Sequence, residues 1–286
     1  MTKKTELWPR TRQFCLWALL TGVVMWLLLR QRTLLQYTLS LLQVNQRDTL
    51  FTCTSFVTFP GKFQELRRAL TTFLTHNTST RIREYLVVNE YDEGADILVD
   101  KLRSEFPQIR FRQKGLADKG QARSLNLILD HLRQYQYTYW IHWEESWYCT
   151  GRFIDDALEI LDTTQISQLK LADNYWDWRR KGSRHLEYTY YPKYVYIQPR
   201  DKRDYQSRRQ VPWEEDIHWW PLFSLRPGVD RVSHILRSGK FNTSVAKWPV
   251  TFEYDFAHQW ISEGGTVGTL RQGHVTRNTN HRSTYR

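Results

Sequence analysis

The sequence predicts an α/β protein: a doubly wound, mostly parallel β-sheet flanked by helices, preceded by one N-terminal transmembrane helix. Two observations predict it. Between residues 50 and 143, short apolar runs alternate with stretches of helical spacing over short connections, the order that a parallel sheet with crossover helices produces. Ahead of them lies one uncharged apolar run long enough to approach a bilayer span.

That run is residues 14–29, FCLWALLTGVVMWLLL, bracketed by Arg12 and Arg30. At 1.5 Å per residue it covers about 24 Å, slightly short of a bilayer core. Snorkelling arginines and a thin membrane make up the difference. No small-x-small cleavage site follows, only Arg30-Gln31-Arg32 and more apolar sequence, so the segment reads as an uncleaved signal anchor. Positive charge is greater before it than just after it, which predicts a cytosolic N-terminus. The expected organisation is a cytosolic tail over 1–13, the anchor over 14–29, a stem over 30–48 and a folded body over 49–286. The protein is then a single-pass membrane protein, and in a eukaryotic host its body faces the ER or Golgi lumen. Asn77-Thr78-Ser79 and Asn242-Thr243-Ser244 are formal N-glycosylation sequons.

In the body, Leu50–Thr58 reads as a buried strand that Pro60-Gly61 breaks. Phe63, Leu66, Leu70, Phe73 and Leu74 then follow helical spacing. Ile82–Asn89 is a second strand, Ala95–Phe106 a helix and Ile109–Arg112 a third strand. Gly120 opens a helix with Leu125, Ile128, Leu129 and Leu132 on one face, and Tyr137, Tyr139, Ile141 and Trp143 alternate as a fourth strand. Ligands of such sheets bind beyond the carboxyl ends of the strands. The fourth strand ends at Trp143, so Glu144 and Glu145 stand where a ligand should be. Further on, Glu187–Gln198 alternates as a hairpin, a helix after Pro227-Gly228 carries Val232, Ile235 and Leu236, and a last helix carries Phe252, Phe256 and Trp260. The tail after Gly273 is polar and basic.

The net charge is +11, and six basic residues against one acid in the first 32 supply much of it. The remaining surplus suits an anionic nucleotide, an acidic polymer or a membrane surface. Of three cysteines, Cys15 lies in the apolar run, which leaves Cys53 and Cys149. This excludes a zinc-binding cysteine cluster and a disulfide framework. Abundant Trp and Tyr suit sugar or base stacking as well as core packing.

From the first strand to the tail, the chain resembles the GT-A fold glycosyltransferases. Gly120-Gln121-Ala122-Arg123-Ser124-Leu125-Asn126 resembles their helix start, and Trp140 to Trp147 the strand ending in their acidic metal motif, here with an acidic pair and a Trp. Phe223–Gly228 with Gly239–Asn242 is similar to their acceptor-side segment, and Phe252-Glu253-Tyr254-Asp255-Phe256 to the motif that supplies a base. The resemblance implies transfer of a sugar from a nucleotide-sugar donor to a glycan or glycoconjugate hydroxyl, assisted by a divalent metal, Mn²⁺ or Mg²⁺, with inversion. It implies Glu144 and Glu145 as metal ligands, since hard carboxylates suit a cation that neutralises a departing diphosphate. Ser146 fills the place of the family's second Asp. A C-terminal histidine, His281 or His274, completes the metal set, and the basic tail from Arg277 could fold over a diphosphate. Asp255 is the implied base with Glu253 as the alternative; two apart on a helix, they face different ways. Asn89, Gln121, Arg123 and Asn126 are the implied donor-binding residues, Arg123 near a helix N-terminus suited to phosphate.

Two other functions fit parts of the sequence. One is a catalytically silent nucleotide-sugar or glycan-binding protein on the same fold, which the Ser146 departure motivates. The other is a membrane-tethered polyanion or nucleic-acid binder, motivated by the basic, aromatic stretch 174–213. There, Asp173, Asp177, Glu187, Asp201 and Asp204 interrupt the basic residues, so no nucleic-acid partner is expected.

Overall fold

β1 (Thr49–Ser55, TLFTCTS) is buried along its whole length, as a central strand covered on both faces must be. Leu50 points to one face and Phe51 and Cys53 to the other, each into a separate apolar cluster. The computed structural model in which it lies describes residues 23–31, 48–55, 60–91, 94–172, 186–199, 222–244 and 251–277.

After β1 come α1 (Pro60–His76), β2 (Ile82–Asn89), α2 (Ala95–Glu105), β3 (Ile109–Gln113), α3 (Gln121–Tyr135) and β4 (Tyr139–Glu144). β1 pairs in parallel with β2 and β4, and β2 in parallel with β3, giving the spatial order β3-β2-β1-β4. Phe63, Leu66, Leu70 and Phe73 of α1 pack with Phe51 and Trp143 on one face. Leu125, Ile128, Leu129 and Leu132 of α3 pack with Leu50 and Trp140 on the other. The expected second strand coincides with β2. The expected end of the first strand, 56–58, lies outside the described residues.

The second half departs from the expected mostly parallel sheet. It holds β5 (Trp147–Cys149), α4 (Ile154–Thr163), β6 (Gln168–Lys170), β7 (Leu186–Tyr190), β8 (Tyr194–Pro199), β9 (Gly228–Arg231), α5 (Val232–Arg237), α6 (Thr251–Ser262), β10 (Val267–Leu270) and β11 (Val275–Arg277). The sheet continues from β4 as β9-β6-β10-β8-β7. β9 runs antiparallel to both β4 and β6. β10 is parallel to β6 and antiparallel to β8, and β7 and β8 form the expected hairpin. The sheet is therefore mixed. Gly228–Arg231 makes it so, entering between β4 and β6 as an antiparallel strand before α5 starts. Its glycine permits the approach, since a Cβ at Gly228 would stand 3.2 Å from the Leu169 carbonyl oxygen.

Asn77, at the end of α1, is buried. Its Oδ1 accepts the Phe153 and Ile154 amides at 2.9 and 3.2 Å, and its Nδ2 donates to Gly151 O at 3.3 Å. It thus caps α4, whose own N-terminal residues supply no side-chain cap. Cys53 and Cys149 are both buried free thiols.

The chain divides into units over residues 1–46 and 47–286. In the first, residues 23–31 are helical, with Val23 to Leu29 exposed. The rest of the expected anchor, 14–22, lies outside the described residues, among which no helix is long and apolar enough to cross a membrane.

Candidate functional site

Glu144 ends β4, and the turn to β5 carries Glu145 and Ser146. Two tryptophans hold it. Trp143 is fully buried, stacked on Phe153 with ring centroids 6.1 Å apart, and its indole N–H donates to the Trp147 carbonyl at 3.0 Å. The bond closes the turn and presents two carboxylates at the carboxyl end of the parallel strands. Their side chains take different partners. Glu144 Oε1 accepts from Gln121 Nε2 at 2.8 Å, at the first residue of α3. Glu145 is buried and faces α1, with Lys62 Nζ 3.3 Å from its Oε1. Lys62 also binds Glu65 at 2.7 Å.

Glu90 sets where α3 begins. Gly120 stands at φ 114°, a conformation that favours glycine. Its amide donates to Glu90 Oε2 at 2.8 Å. Glu90 Oε1 accepts from Lys114 Nζ at 2.5 Å and Ser124 Oγ at 2.7 Å, and Lys114 also reaches Gly120 O at 2.9 Å. This buried network ties the ends of β2 and β3 to the helix start, and so fixes Gln121 beside Glu144.

The other expected donor-binding residues have structural partners. Asn89 is fully buried; it accepts from Ser55 Oγ at 2.9 Å and donates to Gln113 Oε1 at 2.8 Å and Glu90 O at 3.2 Å. Asn126 clamps the Phe241 backbone, donating to its carbonyl and accepting its amide, both at 2.9 Å. Arg123 is exposed and donates to the Ala117 carbonyl.

The two candidate bases on α6 part company. Glu253 turns toward the strand ends, where its Oε1 accepts the Leu225 amide at 2.7 Å. It is close enough to Glu144 to disfavour that residue's charge. Asp255 turns toward Asn242, whose Nδ2 lies 3.4 Å from its Oδ2. Burial pushes Glu144 up to about 7, and Glu145 and Glu253 add to the shift; Arg277 and the Gln121 hydrogen bond oppose it. Burial also raises Glu253, against the Leu225 amide, Lys170 and Arg226. Burial raises Glu145, with Lys62 opposing.

β11 brings the C-terminal segment alongside. Val275 pairs with Cys149 and Arg277 with Trp147, and the Arg277 guanidinium lies 5.9 Å from the Trp147 ring centroid. His274 sits at the other end, over Gly151, with its carbonyl accepting the Thr150 amide at 2.8 Å. His281 lies outside the described residues.

Two cations escaped the sequence reading. Lys62 had a signal, an acid three residues on at a helix start. Lys170 had one too, as a lone charge inside the apolar run Leu169–Leu171.

Among the described residues, no three acids, histidines or cysteines form a ready-made metal cage. Glu144 nonetheless suits a hard cation. Its second oxygen has no hydrogen-bond partner among the described residues, and clustered acids disfavour its charge, a condition that a cation relieves. Cations of this kind are commonly held by one or two carboxylates plus substrate phosphates. Glu145 is already paired with Lys62.

No protein-family model and no curated protein matches the chain. Among solved structures it is similar to GalNAc-T7, solved with UDP, GalNAc and Mn²⁺, at TM-score 0.53 and 8% identity over 83% of this chain and 45% of that one. The mannosyltransferase PcManGT from Pyrobaculum calidifontis, solved with GDP-Man and Mn²⁺, matches at TM-score 0.48 and 13% identity over 83% of this chain and 58% of that one. The chain thus spans about half the length of these structures. At such identity the likeness is one of fold: a mixed α/β sheet with flanking helices of the GT-A glycosyltransferase type.

Proposed function

We propose that this chain is a GT-A-type glycosyltransferase that moves a sugar from a nucleotide-sugar donor to a hydroxyl of a glycan or glycoconjugate, with Glu144 at the donor diphosphate and Glu253 as the general base. The convergence of these two acids at the carboxyl end of β4 carries the proposal. They come from distant parts of the chain, and separate hydrogen bonds from Gln121 and the Leu225 amide orient them.

Donor and acceptor would meet between them. Glu253 takes the acceptor proton as the hydroxyl oxygen attacks the anomeric carbon. The bond from that carbon to the diphosphate oxygen breaks, and its electron pair leaves with the nucleoside diphosphate. One base on the attacking side supports displacement with inversion. A divalent cation, when bound at Glu144, neutralises charge on the leaving diphosphate. Arg277 adds positive charge on the same side. Glu253 suits the base role better than Asp255 because Asp255 faces Asn242. Residues 14–29 would tether the enzyme to the membrane with its N-terminus cytosolic and its body lumenal in a eukaryotic host.

The test is nucleoside diphosphate release by the full chain across a panel of nucleotide sugars with Mn²⁺. Turnover of at least one donor that E144Q and E253Q both abolish is expected. Donor binding without turnover would favour a silent binding protein. Neither binding nor turnover with any donor would refute the transferase function.

A further inference from the structure

The peptide bond between Ser224 and Leu225 is held from both sides. Its carbonyl oxygen accepts Lys170 Nζ at 2.6 Å and Gln168 Nε2 at 3.1 Å. Its N–H donates to Glu253 Oε1 at 2.7 Å. In a trans peptide the C=O and N–H point in opposite directions, so Lys170 and Glu253 face one another across a single peptide group. The cation meets the negative end of that group and the carboxylate its positive end. Both charges polarise it in the same sense, and each strengthens the other's hydrogen bond.

Satisfying the backbone does not require the lysine. Gln168 closes a reciprocal pair with Ser224 by itself, donating to its carbonyl and accepting its amide at 3.2 Å. Lys170 is fully buried on a three-residue strand, where an ammonium is costly unless it is compensated. The charged groups facing it are Asp230 from β9, Glu253 from α6 and Arg226 from the connecting loop, with the buried His142 from β4 nearby. Glu253 itself is faced by Ser224, Leu225 and Arg226 from that loop, by Lys170 from β6 and by Glu144 from β4.

We infer that Lys170 is a positioning residue for sugar transfer, acting through the Ser224–Leu225 peptide to orient the Glu253 carboxylate and favour its charged form. This role rests on the assignment of Glu253 as base. Lys170 would touch neither donor nor acceptor; it works from behind the site.

The experiment measures transfer by the full chain as a function of pH, together with donor affinity, in wild type, K170M, K170Q and E253Q. Met matches the lysine stem without charge, and Gln retains a donor for Ser224 O should K170M fail to fold. Loss of the cation disfavours the carboxylate, so the acid limb of kcat should move to higher pH. At neutral pH kcat should fall about tenfold or more, recovering as pH rises, with donor Kd within about twofold of wild type. A pH-independent loss, or an equal loss of donor affinity, would overturn the inference. Retained turnover in E253Q would overturn the base assignment and this role with it. Abolished turnover in E253Q beside an unmoved acid limb in both Lys170 variants would overturn the Lys170 role alone.

Discussion

Gln121 Nε2 donates to Glu144 Oε1 at 2.8 Å, joining the first residue of α3 to the last residue of β4. The Glu90 network fixes where α3 begins, so the position of Glu144 depends on a buried acid at the end of another strand. Replacing Gln121 by Leu should leave the fold intact and weaken donor affinity about tenfold, the worth of one hydrogen bond to a charged group. Calorimetric titration with nucleoside diphosphate and Mn²⁺ measures it, and unchanged affinity would remove Gln121 from the site.

Glu253 and Asp255 make opposite predictions. E253Q should lower kcat by about 10²- to 10⁴-fold, the usual contribution of a general base. D255N should stay within about threefold, because Asp255 is partly exposed and faces Asn242. The reverse order in steady-state rates would return the base to Asp255.

Glu144 titrates near 7 because burial and two neighbouring acids disfavour its charge. An acid raised in this way stays protonated to higher pH than an ordinary carboxylate. Cation binding at Glu144 should therefore fall away as pH drops through about 7, and binding should release a proton. Mn²⁺ titration between pH 5.5 and 8.5 in two buffers of different ionisation enthalpy tests both. The E144Q variant should show neither effect.

Lys114 and Glu90 form a buried ion pair at 2.5 Å. Removing one partner strands the other, and K114M should cost about 3–5 kcal/mol of stability. Urea unfolding measures it; a loss under about 1 kcal/mol would show that the pair is not needed to anchor α3.

Asn77 caps α4 from outside the helix. N77L would leave the buried Phe153 and Ile154 amides without an acceptor, at about 1–3 kcal/mol each. A thermal scan should place the variant several degrees below wild type, with the turn at Glu144 unaffected.

Much of the first half of the fold was legible because its strands and helices are long enough to show their periods. Ile82–Asn89 and the α3 face carry enough residues to display 2- and 3.6-residue repeats. β5, β6 and β11 have three residues each and β9 and β10 four, too few for any period to stand out. That is why the antiparallel insertion of β9 went unseen. Glu144 could be located because it closes a recognisable strand. That Glu253 and Asp255 take different partners could not be read from the sequence, because it turns on where the Leu225 amide and Asn242 lie. Asn89 also stands at a strand end, yet Ser55 and Gln113, from the two neighbouring strands, take its side chain. Local patterning marks Lys62 and Lys170 but does not encode their distant partners, Glu145 and the Ser224 carbonyl.

Asn77 opens a formal glycosylation sequon, and its Nδ2 is the atom to which a glycan would be joined. In the folded chain that nitrogen already donates to Gly151 O, inside the seam between α1 and α4. In a cell that modifies such sequons during synthesis, folding and modification would compete for one atom. A chain that closes this seam first keeps Asn77 bare. A chain modified first carries a bulky polar group where the seam must close, and it is barred from the native state. In such a cell, the faster α1 docked against the segment leading into α4, the larger would be the fraction of chains that mature.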